Sequence, residues 1–274
     1  MNLWERLLNT AGDVWASRRL VALWPWPAVV LGRPRCKFTW RDYRNFTARL
    51  EPGDFILTKS SPYFLSNAGI KGTTFKHLAV YVGSVTGDLN KKTSFIENPK
   101  YLNLRNVHHD VLPTLNAHQR CVVHAISEGV VCQDLGELLF HSDYAIVVRP
   151  VGSVISLCLR RRGLKTKQRV VDTALKHIAR PYDFYFDQGD MSSVFCTELG
   201  RHICLEVFGN APRNVNKFTS FIDWVHRKGH PVTLADSFLC YTAVCCSESC
   251  FEDGFGADSD EVTFVKSAIK ECRK

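Results

Sequence analysis

An α+β fold is the architecture this sequence predicts, and three observations carry the prediction. In residues 194–208, Leu199, Ile203 and Val207 recur at four-residue spacing with Cys204 and Phe208 beside them, which is a helix with one buried face. Residues 76–83 are a near-continuous apolar run, His77-Leu78-Ala79-Val80-Tyr81-Val82, of the kind a buried strand shows. Shorter runs of strand character occur at residues 55–58, 121–126 and 144–150, with helical spacing between them at residues 134–140 and 170–179.

The chain has 274 residues, 45% apolar and 23% charged, enough to bury a sizeable core in one principal domain with appendages. Residues 2–24 carry Trp4, Leu7, Leu8, Ala11 and Trp15 at helical spacing, which predicts an amphipathic helix. The apolar stretch 20–32 that follows contains Pro25 and Pro27 and is too short and too broken to span a bilayer; it also lacks a small-residue cleavage site. This aromatic-rich N-terminal segment either docks on the protein's own core or makes a peripheral membrane contact through residues 1–32. Pro52-Gly53-Asp54 is a turn before a strand and marks the start of the compact domain. The expected organisation is an N-terminal appendage over 1–48, a domain over 49–235 and a Cys-rich, then acidic, tail over 236–274. A polar insertion is expected at about 84–120 and a further short helix at 218–225.

The net charge of +8 comes partly from Arg160, Arg161, Arg162, Lys165, Lys167 and Arg169. No nucleic-acid motif and no interleaved aromatic platform accompanies this run, so it reads as a solvated loop and nucleic acid is not an expected partner. The eleven cysteines are scattered and show no paired CxxC spacing, which points to a reducing, cytoplasmic compartment and to no metal or other cofactor. Cys240, Cys245, Cys246 and Cys250 read as a partly buried Cys-rich helix or turn.

Cys196 stands where the predicted helix begins. Ser192 and Ser193 are good N-cap residues, and the first turn of a helix favours an anion, so the thiol is expected to be acidified there. A nucleophilic thiol needs an imidazole to take its proton and a further polar group to orient that imidazole. His77 at a strand entrance and His124 inside the next strand are the candidates.

The ordered blocks around these residues resemble the YiiX/YebB-like cysteine hydrolases of the NlpC-type, papain-like superfamily. They are Pro52-Gly53-Asp54-Phe55, Leu65-Ser66-Asn67 with Gly72, Lys76-His77-Leu78-Ala79-Val80-Tyr81-Val82-Gly83, Val122-Val123-His124-Ala125, the strand ending at Pro150, Arg180-Pro181-Tyr182-Asp183-Phe184 and Phe195-Cys196-Thr197-Glu198-Leu199. The resemblance implies a circularly permuted papain-like fold, an antiparallel sheet packed against the helix that carries the nucleophile, with histidine preceding cysteine in the chain. Carried over by position, it makes Cys196 the nucleophile, His77 the base and His124 the orienting group, with Tyr182 and Asp183 lining the cleft. His124 stands where the closer family commonly has Glu, so Glu128 and Glu97 remain alternatives for the orienting role. Residues 179–180 precede Pro181 where the family usually has a glycine.

The implied activity is hydrolysis of an amide bond, in a peptide, cell-wall peptide or acyl-amino substrate, through a thioester. Two alternatives stand beside it: a thiol phospholipase or acyltransferase taking acyl groups from lipid esters at a membrane surface, and an idle binding module with the same fold.

Overall fold

The computed structural model describes residues 18–23, 26–31, 37–60, 74–84, 120–126, 129–150, 163–183, 192–212, 233–248 and 250. Its centre is a six-stranded, wholly antiparallel sheet in the order β6-β5-β4-β3-β7-β8. The strands are β3 (Phe55–Lys59), β4 (His77–Gly83), β5 (Cys121–Ile126), β6 (Gly129–Asp134), β7 (Tyr144–Arg149) and β8 (Thr242–Cys246). Four helices accompany them: α1 (Trp40–Arg49), α2 (Leu135–Phe140), α3 (Gly163–Lys176) and α4 (Cys196–Phe208). A separate two-stranded sheet is formed by β1 (Arg18–Leu23) and β2 (Trp26–Leu31).

The central strands are buried on both sides, which is why they read as continuous apolar runs. Alternate residues feed two cores. Leu57, Leu78, Val80, Val123 and Ile146 pack with Val171, Leu175, Leu199, Ile203 and Phe238, under α3 and α4. Ile56, Ala79, Val122 and Val147 pack with Phe38, Phe46 and Leu139, under α1 and α2. The permuted papain-like arrangement, with an antiparallel sheet against the helix that begins at Cys196, is present as expected.

Several expectations are corrected. Residues 18–23 form a strand, because the run beyond Arg19 pairs with an equally apolar partner, in register from Arg18↔Leu31 to Leu23↔Trp26. Residues 1–17, the rest of the predicted N-terminal helix, lie outside the described residues, as do residues 218–225. The compact unit starts before residue 49: α1 buries Phe46 completely and is fixed by a reciprocal cap, Thr39 Oγ1 accepting from Asp42 N and Asp42 Oδ2 accepting from Thr39 N. The sheet also runs past residue 235. β8 is a strand where a Cys-rich helix or turn was expected, since Thr242-Ala243-Val244 has strand character and β7 offers an open edge. Strand β6 was absent from the sequence reading, its short Val130-Val131-Cys132 run being overshadowed by the turn at Gly129.

One ion cluster closes the sheet's entry turn. Arg149 Nε and Nη2 donate to Asp54 Oδ1 and Oδ2 at 2.7 and 2.8 Å, and Nη1 donates to Glu51 Oε1 at 2.8 Å. Asp54 is 1% exposed. Breaking a buried pair by removing one partner strands the other charge. Arg149→Met is therefore expected to destabilise the fold by about 3 kcal/mol, read from the midpoint of urea unfolding; a shift within error would show that the cluster is energetically neutral.

Candidate active site

Helix α4 starts at Cys196, with Phe195 in extended conformation at the N-cap. Ser192 and Ser193 are not the caps: the helix begins later than their placement requires, and the Phe195 N–H is taken by the Glu198 carboxylate, Oε2, at 3.4 Å. The helix ends at Gly209, whose φ of +74° is the left-handed C-cap that glycine adopts without strain. Within it, Gly200 lets α4 lie directly on β4. A Cβ there would stand 2.9 Å from Leu78 Cδ1 and 2.9 Å from Phe238 Cζ.

That approach sets Cys196 against the first residues of β4. Its thiol donates to the Lys76 carbonyl at 3.9 Å and lies near the Leu78 backbone, bracketing His77. His77 and His124 meet edge to face, Nε2 of His77 lying 2.8 Å from Nδ1 of His124. The register explains the contact: Ala79 pairs with His124, so His77, two positions earlier, is the diagonal neighbour on the same face. Gln133 on β6 stands in the same diagonal relation to His124, which pairs with Val131. The loop into β4 is held by Asp236, whose two carboxylate oxygens accept from Thr74 N and Phe75 N at 2.6 and 2.8 Å. The structure thus brings the two imidazoles together on the face of the sheet that Ala79 and Val122 share, under α1 and α2, and places Cys196 against the strand backbone on the opposite face, with Leu78 and Val80 under α4; among the described residues Cys196 Sγ makes no hydrogen bond to either ring.

The Cys196 thiol and His124 are buried, and this overturns the expectation of an acidified thiol. Burial pushes Cys196 up to about 11, outweighing the nearby backbone amides, including its own and that of Thr197. Burial holds His77 well below the usual histidine range, with His124 adding to the effect. It takes His124 to about 4, against a smaller upward pull from Gln133. Gln133 is close enough for that pull, although His124 Nε2 makes no hydrogen bond of normal geometry among the described residues. At neutral pH thiol and imidazoles are all uncharged.

The chain's sequence matches the family model of permuted papain-like amidase enzymes, YaeF/YiiX, C92 family, over residues 49–243. The chain belongs to this family. Membership places it among the papain-like cysteine hydrolases. Among solved structures it is similar to the metalloprotein YiiX of Escherichia coli O157:H7, at 16% identity and a TM-score of 0.41, over 74% of this chain and 93% of that one. No curated protein sequence matches.

Of the other residues proposed for this C92 site, Tyr182 is half-buried close enough to Cys196 for the two to influence each other's ionisation, and its hydroxyl is pushed well above the ordinary tyrosine range, chiefly by burial. Asp183 is buried, and the segment is tied to the entry of α4 by Asp183 N donating to Val194 O at 3.1 Å and Val194 N to Pro181 O at 2.9 Å. Glu128 and Glu97 lie outside the described residues. Gln133 and Asp236 were missed in the sequence because the strand that carries the first went unrecognised and the second sat in a presumed tail. Among the described residues no group of three His, Cys, Asp or Glu side chains is arranged to hold a metal ion, no disulfide forms, and no helix is long and apolar enough to cross a membrane.

Behind the nucleophile's helix lies a second polar group. Glu198 is fully buried, its Oε1 3.6 Å from His202 Nε2, and Arg180 Nη1 lies 3.4 Å from His202 Nδ1. Burial, helped by Asp183, pushes Glu198 up to about 8, and burial takes His202 down to about 4.

Two outcomes follow. A thiol near 11 is protonated through the neutral range, so alkylation of Cys196 by iodoacetamide, followed by peptide mass analysis, should climb about tenfold per pH unit between pH 7 and 10; a plateau reached near pH 6 would instead reveal a thiolate–imidazolium pair. For Glu198, a folded-state pKa above the unfolded value means that native and unfolded chains both hold the proton at low pH. The unfolded chain alone releases it as pH rises from 4.5 towards 8, so stability falls over that window. Glu198→Gln should accordingly raise the melting temperature at pH 9 relative to wild type by more than it does at pH 4, and an equal shift at both would refute the assignment.

Proposed function

We propose that this protein is a cysteine amidase in which Cys196 is the nucleophile, His77 the general base and His124 the group that orients His77. The observation that supports it best is the 2.8 Å contact between the two imidazoles at the strand entrance against which the Cys196 thiol rests. With Nε2 of His77 engaged by His124, Nδ1 is the nitrogen left to receive a proton. The tautomer that catalysis needs therefore carries its proton on Nε2 and donates it to Nδ1 of His124, whose own proton then sits on Nε2 beside Gln133.

The neutral pair suits a thiol that ionises only as it attacks. Sγ adds to the amide carbon while its proton passes to His77 Nδ1, a step that requires the His77 ring to turn round the strand end from the Ala79 face towards Cys196; the carbonyl electrons move to oxygen. In this reading helix N-terminal amides, with that of Cys196 among them, and the Tyr182 hydroxyl hold the oxyanion. The tetrahedral adduct collapses to a thioester as the C–N bond breaks and the amine leaves with the proton from His77. A water molecule, deprotonated by His77, then attacks the thioester and releases the carboxylate and the thiol. The substrate class is an amide in a peptide, cell-wall peptide or acyl-amino compound.

The test is turnover on a panel of N-acyl amino acids and short peptides. Cys196→Ala should abolish it, and His77→Ala should lower kcat/KM by about 10³-fold, within the range for loss of a general base. His124→Ala should lower it less, and His124→Asn should recover part of that loss, because an amide oxygen can accept the His77 proton and a methyl cannot. Full activity in Cys196→Ala would sink the proposal.

A further inference from the structure

The end of the sheet beside Cys196 gathers positive charge on one face. Thr58 of β3 pairs with His77 of β4, so Lys59 and Lys76, the next residue outward on each strand, stand opposite one another. The Lys76 N–H donates to the Thr58 carbonyl at 2.9 Å, which carries the backbone pairing to this point. On its other side Lys59 pairs with Tyr144 of β7. Side chains alternate across a sheet, and the residues two positions inward, Leu57, Leu78 and Ile146, all lie in the core under α3 and α4. Tyr144, Lys59 and Lys76 therefore form a row across three strands on the face that packs against α4, opposite the face that His77 shares with Ala79. Cys196 rests beside this row, its thiol against the Lys76 carbonyl.

Like charges directly opposite one another across a pair of strands repel. Lys59 and Lys76 are also both half-buried, which adds a desolvation cost. Burial lowers the Lys76 ammonium to about 8 against an upward pull from Asp236, and Lys59 adds to the lowering. The Lys59 ammonium lies 5.3 Å from the centre of the Tyr144 ring, and that of Lys37 approaches the same ring at 5.6 Å. Two carboxylates stand near: Asp236, whose oxygens accept the Thr74 and Phe75 N–H groups, and Asp143, which accepts the Lys37 N–H at 3.3 Å. Among the described residues, three ammonium groups thus meet two carboxylates that already hold backbone amides. An anion between Lys59 and Lys76 relieves their repulsion.

We propose that Lys59 and Lys76 form a subsite for a carboxylate of the substrate. The inference rests on the amidase reading for the scissile bond. It narrows the substrate class to amides with a carboxylate close to that bond, as an N-acyl amino acid has on its amine side and an N-succinyl amine on its acyl side. The two ammonium groups hold the carboxylate and so keep the amide beside the Cys196 thiol, while Tyr144 steadies Lys59 from the far side. Binding of this kind is made equally in the ground state and the transition state, so it acts on KM.

The experiment compares three amides: N-acetyl-leucine, N-succinyl-isopentylamine and the uncharged N-acetyl-isopentylamine. Wild type should favour one of the two carboxylates over the neutral amide by about 25-fold in kcat/KM, about fivefold for each ammonium and chiefly through KM. Which carboxylate it favours tells whether the anion belongs to the amine or the acyl side. Lys59→Gln and Lys76→Gln should each lower the preference about fivefold, whereas Lys59→Arg, which keeps the charge, should retain most of it. Alkylation of Cys196 gives a readout that needs no turnover. Its rate with iodoacetate, an anion, relative to that with neutral iodoacetamide should fall severalfold when both lysines are changed to Gln. Hydrolysis of the neutral amide as readily as the carboxylates, or a preference that neither Gln variant lowers, overturns the subsite and leaves the amidase reading standing. Absence of turnover on every amide defeats the amidase reading, and the alkylation ratio then decides: a fall in the double variant keeps an anion site beside Cys196, and an unchanged ratio overturns it.

Discussion

The site depends on how closely α4 can approach β4. At Gly200 there is no room for even a methyl group between the helix and the side chains of Leu78 and Phe238. Because the helix lies this low, its first residue falls against the first residues of the strand, and Cys196 comes to rest beside the backbone that carries His77. A helix displaced outward by one methyl layer would keep the same secondary structure and lose this contact. The strand side is equally constrained: antiparallel pairing sets His77 diagonally from His124, and His124 diagonally from Gln133. Two backbone registers and one missing side chain thus arrange the candidate site before any side-chain hydrogen bond is considered.

Water exclusion then decides the electrostatics. The helix terminus favours a thiolate and the buried surroundings oppose it; burial is the larger effect, and the same burial keeps both imidazoles uncharged. The polar residues behind the helix follow the same pattern, with a carboxyl held protonated and imidazoles held neutral. In such surroundings charge is costly at rest, and a protein that pre-positions donors for a transient charge gains from the low dielectric that penalises a permanent one.

Much of this was legible in the sequence, for identifiable reasons. The strands carrying His77 and His124 are buried on both faces, so they appear as dense apolar runs, and α4 shows its helical spacing because one face is packed. The order of motifs pointed to the permuted papain-like fold and to Cys196, His77 and His124. What misled was local chemistry that tertiary contacts override. Ser192 and Ser193 have the right side chains for a cap, but they lie in a turn before the helix, which begins only after Phe195. The first turn of α4 has the right field for a thiolate, but field strength is a short-range bonus and desolvation acts on the whole group. Residues 18–23 suit a helix by spacing and become a strand because a matching apolar partner lies a few residues away. The cysteines of β8 look like a tail until the open edge of β7 is known, and no pattern within residues 242–246 reveals that edge.

The late position of β8 in the chain has a consequence for biosynthesis. Phe238 fills the space under Gly200, Asp236 ties down the loop before β4, and β8 completes the sheet, yet all of them are synthesised after the nucleophile's helix. While residues 235–246 are still unmade, α4 has an open underside, the loop before His77 lacks its tether and β7 is an uncovered edge. The growing chain therefore carries its thiol and imidazoles before these supports exist, and the supports are acquired only when β8 docks. The topology thus delays assembly of the site until the domain is almost wholly translated.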